Sequence, residues 1–148
     1  MSSSAYSWLV ALHAHLAVLG LAVLMHPIVT LRSRNSVGKN TLLTADLAAI
    51  LLAAPFFLGW IVYPTYRARV KPALFLTHPD MVLRFETKEH LAAMAVALVV
   101  AGAVTLRAAG RRPVGREAAW SLLLVGWVLA LITAAFGVLV HGLAHPGF

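Results

Sequence analysis

Seven ionisable residues stand where charge is costly: His13, His15, His26, Asp46, Glu89, His90 and His141 lie within or at the edges of long apolar runs. An ionisable group at membrane depth is a functional candidate by default, because it must be paired, neutralised or used. Imidazole ligates haem iron, and together with thioether it suits copper. Met94, one turn after His90, supplies such a thioether. His15 and His26 are eleven residues apart, close to three helical turns, so they share one side of the first run with Leu19 and Ala22 between them. His13 points elsewhere. If that stripe faces inward, His15 is the better ligand, and His26 with Asp46 marks a possible second site. Asp46 reads first as a helix-start residue, with Thr44 nearby.

Four apolar runs must position these residues. Of 148 residues, 61% are hydrophobic and only 11% charged, against roughly 25% charged in a soluble domain. About 20 apolar residues cross a bilayer. The pattern predicts spans at 6–31, 42–66, 88–107 and 118–144, with a cap loop at 67–87 and the Lys88 and Arg107 side chains snorkelling at the ends of the third. The expected fold is all-α: a four-helix transmembrane bundle in one domain, both termini on the same side. The first run lacks the positive flank of a signal peptide and is too long for one, so it is read as retained.

The net charge of +7 suggests nucleic acid, but all Lys and Arg gather at the joints between runs, where they meet lipid headgroups. The partner is the lipid bilayer, with no nucleic acid. The first and third loops hold seven Lys and Arg and the second holds five, a bias that favours termini outside a bacterial inner membrane. Trp8, Trp60, Tyr63, Tyr66 and Trp120 fall near span ends as an aromatic belt, and Trp127 packs between helices. Small residues mark the expected seams: Ala97, Ala101 and Val104 on the third span, Gly126, Ala130, Ala134 and Gly137 on the fourth. Pro27 and Pro55 interrupt their helices.

Span order alone brings His13, His15, His90 and His141 to a similar depth on three helices. That arrangement suits haem b, which takes axial ligands from facing helices and fills an apolar slot. Gly137 and Gly142 leave room beside His141, Met94 can replace a histidine, and Arg67, with Arg69 and Arg84, can pair with propionates. Copper held by His15, His90, His141 and Met94 is the metal alternative. With no cysteine, iron–sulfur clusters, thiolate zinc and covalent c-type haem are excluded. Tyr63 to Arg67 and Phe85 to His90 read first as an interfacial cap and second as a quinone headgroup site. His78 and His145, each followed by Pro, read as loop or terminal residues.

The histidine layout resembles small four-helix membrane b-type cytochromes, including bacterial cytochrome b561-like electron carriers. The resemblance implies haem b and electron exchange with quinone. Those proteins pair histidines at both faces; here the far face offers only His26, which implies a single haem. The opening Ser7-Trp8-Leu9-Val10-Ala11-Leu12-His13 also looks like membrane haem-pathway oxidases and copper-resistance membrane proteins. A non-catalytic accessory subunit beside other membrane subunits is the competing expectation. No nucleophile triad, phosphate loop or HExxH pattern supports a hydrolase or kinase.

Overall fold

A backbone in lipid finds no water to bond, so a long apolar run satisfies its own N–H and C=O groups by coiling into a helix. The computed structural model describes residues 3–33, 37–109 and 112–144. They form α1 (Ser3–Ser33), α2 (Lys39–Thr65), a π-helical turn (Tyr66–Val70), α3 (Lys71–Thr77), α4 (Pro79–Ala109) and α5 (Pro113–Ala144). Four of these segments, the second running from α2 through α3, are long and apolar enough to cross a membrane. The chain is an all-α integral membrane bundle. In cross-section α1 and α4 each pack against both α2 and α5. The pairs α1/α4 and α2/α5 therefore face one another across the centre.

The helices start earlier than hydropathy suggests. Segment 67–87, expected as a cap loop, is almost entirely helical, and α4 begins at Pro79 instead of 88. Proline at the first helical position and Asp80 in the first turn are start signals that lie upstream of the apolar run. His78, held before a proline at φ −145° and ψ 72°, breaks α3 from α4. Pro113 starts α5 in the same way.

Helices in lipid have no hydrophobic drive to associate, so contact comes from close approach at small residues. On α4 the buried face is Ala95, Val99, Gly102, Ala103 and Leu106. It meets Ala119, Leu123, Gly126 and Ala130 of α5, also buried. A Cβ added at Gly126 would sit 2.7 Å from Val99 Cγ2 and 3.2 Å from the Ala95 carbonyl oxygen. Ala97, Ala101 and Val104, expected on this seam, turn outward. The expected seam is displaced by two residues, about 200° around a helix. On α1 and α2 the core is Leu24, Ile28 and Leu31 against Ala45, Ala48 and Leu52.

Trp127 packs between helices as expected: its Nε1–H donates to the Leu21 carbonyl at 3.1 Å, tying α5 to α1. Trp8 and Trp60 are exposed, whereas Tyr66 is only 4% exposed. It stacks on Phe85 with ring centroids 3.8 Å apart, so it belongs to the packing and not to the belt. Pro27, Pro55 and also Pro64 lie inside helices, each removing one backbone donor.

Candidate functional site

The four interior stripes carry four residues that a plain core would not use. On α4, steps of three and four run Met81, Phe85, Lys88, Ala92, Ala95, Val99, Gly102, Leu106, and none of these positions is exposed. Lys88 stands in that row. On α1, Tyr6, His13 and Gly20 are spaced by sevens on the inward side. On α2, Gly59 follows Leu52 and Pro55 on the stripe, and on α5, Gly137 follows Ala130.

His13 reaches across to α2, where its Nδ1 lies 2.7 Å from the Pro55 carbonyl oxygen. A carbonyl only accepts, so the proton is on Nδ1 and Nε2 keeps its lone pair. A backbone bond of this kind fixes the tautomer and orientation of a ligating histidine. The His13 ring lies beside Gly59, where an added Cβ would meet Cε1 at 3.7 Å, an ordinary van der Waals contact. Lys88, on the diagonally opposite helix, is within electrostatic reach of the His13 ring. Its Nζ would lie 3.4 Å from a Cβ placed on Gly137, and 5.2 Å from the Phe85 ring centroid. Among the described residues no carboxylate comes within ion-pair distance of Lys88. One diagonal of the bundle thus carries two nitrogen bases and the other carries two glycines. The nitrogen bases stand on one diagonal, and the glycines let their side chains lie close to the helices of the other.

A second feature adjoins this pair. The Tyr66 hydroxyl is buried and has no hydrogen-bond partner. Tyr6, Tyr63, Glu86 and Glu89 lie within electrostatic reach of it, and Glu86 is held by Lys71 at 2.7 Å. Buried polar groups are nearly always bonded, so an orphaned hydroxyl asks for an acceptor that binds there.

The stripe containing His15, Leu19, Ala22 and His26 faces outward instead of into the bundle. His15 Nδ1–H donates to Ala11 of its own helix at 2.7 Å, and His90 Nδ1–H to Glu86 of its own helix at 2.8 Å. Both are exposed, as is Met94. His141 continues α5, but its side chain is not among those described, and His145 lies outside the described residues. Arg67 is exposed and lines an open pocket with Lys71, Pro72, Phe75 and Leu76. Arg84 lies 3.9 Å from Asp80.

At the other end of the bundle, His26 Nδ1–H donates to Thr44 Oγ1 at 2.8 Å; the Thr44 hydroxyl proton is given to the Asn40 carbonyl at 2.8 Å. Asp46, seven residues into α2, does not cap it but forms a two-point ion pair with Arg107 of α4, whose Nε lies 3.0 Å from Oδ1. His26 and Asp46 therefore serve different partners. Among the described residues, no three His, Asp or Glu side chains gather as a metal site.

Lys88, Gly59 and the Pro55 carbonyl carry no motif. Lys88 reads as a snorkelling end residue when only its distance from the apolar run is considered. Its place in the three-four row from Met81 to Leu106 is the signal that it points inward. No known protein family, curated protein or solved structure matches the chain.

Proposed function

We propose that this protein is a membrane haem b protein that transfers single electrons, in which His13 Nε2 would hold the haem and Lys88 would face the group from the diagonally opposite helix. The observation that carries the reading is the diagonal pair: an oriented imidazole with a free nitrogen, a lysine in electrostatic reach of Glu89 but, among the described residues, with no carboxylate at ion-pair distance, and glycine on both remaining helices. Haem b supplies reversible one-electron chemistry at its iron. The chain holds the imidazole in one tautomer through Pro55, and Lys88 would either hold the group as a neutral amine or pair with an anionic substituent. The absence of cysteine makes the attachment non-covalent.

Quinone is the redox partner class that suits the adjoining cluster. A quinone carbonyl accepts the hydrogen bond that Tyr66 has no partner for, and Glu89 stands beside it to exchange a proton. In this reading the face carrying the termini lies outside the cytoplasm of a bacterial inner membrane, in keeping with the seven Lys and Arg on the first and third loops against five on the second. Copper has less behind it, because His15, His90 and Met94 are all exposed.

The test is a reduced-minus-oxidised visible spectrum of the protein purified in mild detergent, with a pyridine haemochrome assay for stoichiometry. A b-type signal is expected, lost in His13→Ala and kept in His15→Ala. Protein that takes up no haem, even when haem is supplied during expression, would sink the reading.

A further inference from the structure

Two donors on the outward side of α4 take no part in the interior pair. His90 and Met94 are four residues apart on one helix, and both are exposed. Residues at that spacing share a face, with Cβ atoms about 5–6 Å apart. The His90 Nδ1–H is given to the Glu86 carbonyl at 2.8 Å. That bond fixes the tautomer and leaves the Nε2 lone pair unused on the outside of the bundle. Met94 is 49% exposed, and a long side chain on a helix leans over the turn before its own Cα. Here that is the turn carrying His90. No other histidine in the chain has an exposed methionine three or four residues away, and Met25, 40% exposed, has no histidine at either spacing. His90 precedes Arg107 by 17 residues, a rise of about 26 Å. The pair therefore lies within a hydrocarbon layer about 30 Å thick, near its boundary at the termini end.

We propose that His90 Nε2 and Met94 Sδ bind one monovalent copper ion, Cu(I), on the outward face of α4. The donor set selects the ion. Thioether is soft and favours Cu(I), and imidazole suits copper in general. An ion with bonds of about 2.0–2.3 Å, the lengths imidazole and sulfur make to a first-row metal, bridges side chains one turn apart. Structural zinc takes four protein donors, and among the described residues no three His, Asp or Glu side chains gather. Glu86, one turn before His90, is already bonded to Lys71 at 2.7 Å. Both donors are neutral, so the bound ion keeps its charge, and a single charge costs less than a double one at this depth. Exposure argues against a closed copper centre drawn from several helices, but it leaves this pair within reach. The site depends on neither the haem nor the quinone reading.

The experiment is an anaerobic Cu(I) titration of the full chain, purified in mild detergent without a polyhistidine tag, in competition with a chromogenic Cu(I) chelator. One ion per chain is expected, with sulfur and imidazole nitrogen both visible in its X-ray absorption spectrum. His90→Ala and Met94→Leu should each weaken binding at least about 10-fold, since losing even a partner behind a ligand costs about 10- to 100-fold. Met94→His should keep the ion and lose the sulfur signal. Met25→Leu and His15→Ala, exposed positions with no second donor one turn away, should change nothing. Because every altered side chain is exposed, the variants are expected to keep their helical circular dichroism. The b-type spectrum of His90→Ala and Met94→Leu should match that of the unaltered chain, which keeps this test separate from that of the haem. A chain that takes up no Cu(I), binding that survives loss of both donors, a copper spectrum without sulfur, or equal displacement by Zn(II) would each overturn the proposal.

Discussion

The two ends of the bundle use their charged side chains differently. At the end away from the termini, charged and polar side chains pair across helix boundaries, His26 with Thr44, Asp46 with Arg107, and the Arg32 guanidinium 5.5 Å from the Trp120 ring centroid, while the buried Trp120 Nε1–H has no hydrogen-bond partner. At the termini end the interior holds a lysine with no carboxylate at ion-pair distance among the described residues, an imidazole with one nitrogen unused, and a tyrosine hydroxyl with no partner. Glycine plays both parts. Gly126 admits backbone against backbone between α4 and α5, while Gly59 and Gly137 stand next to side chains that leave them space. One end is a fastening. The other is an incomplete set of bonds, which is what a binding site is before its ligand arrives.

Substitutions separate the two ends, and the largest effect belongs to the site. His13→Ala is expected to remove the whole haem signal from the difference spectrum while leaving the helical circular dichroism intact; His26→Ala should leave the signal untouched. If both lose haem, the division of labour between the ends is wrong. Gly126→Leu comes next. Its side chain would enter the α4 backbone, so it should cost at least about 3 kcal/mol in reversible unfolding in mixed micelles, the upper range of overpacking. Gly137→Ala meets only the tip of Lys88 and should cost under about 1 kcal/mol while lowering haem occupancy.

Arg107→Ala leaves Asp46 without its partner. Both side chains retain some exposure, 52% and 29%, so the loss should be about 1–2 kcal/mol, between surface and buried pairs. Restoring it by the further change Asp46→Ala, in a double-mutant cycle, would show that the stranded charge and not lost packing is responsible. The smallest effect is expected from His26→Ala, roughly 0.5–1 kcal/mol, typical of one hydrogen bond between membrane helices. A loss of several kcal/mol there would mean that the fastening end has a single key residue instead of shared support.

Much of this was legible residue by residue. The spans follow from uncharged runs, Trp127 from its depth, and the seam on α5 from Gly126 and Ala130. The seam on α4 was misread because Ala97 and Ala101 are as small as Ala95 and Gly102, and size does not say which way a helix is turned. The same ambiguity affected the histidines. His13 and His15 are two residues apart, about 200° around the helix, and only rotation decides which faces in. The three-four row on α4 contained that information for Lys88, because seven of its eight positions are uncharged and the stripe passes through it.

Sequence alone determined that the chain crosses a membrane four times, that its cations lie at the joints, and that any haem is held without thioether links. These are properties of composition and order, fixed because lipid demands apolar side chains and satisfied backbones whatever the packing. Tertiary structure decided which side of each helix faces in, and with it that His13 and Lys88 turn inward on diagonally opposite helices while His15 and His90 look outward. Helix rotation is set by close contact at a few small residues on neighbouring helices, and in lipid the hydrophobic character of a face cannot substitute for that contact, since both faces are apolar.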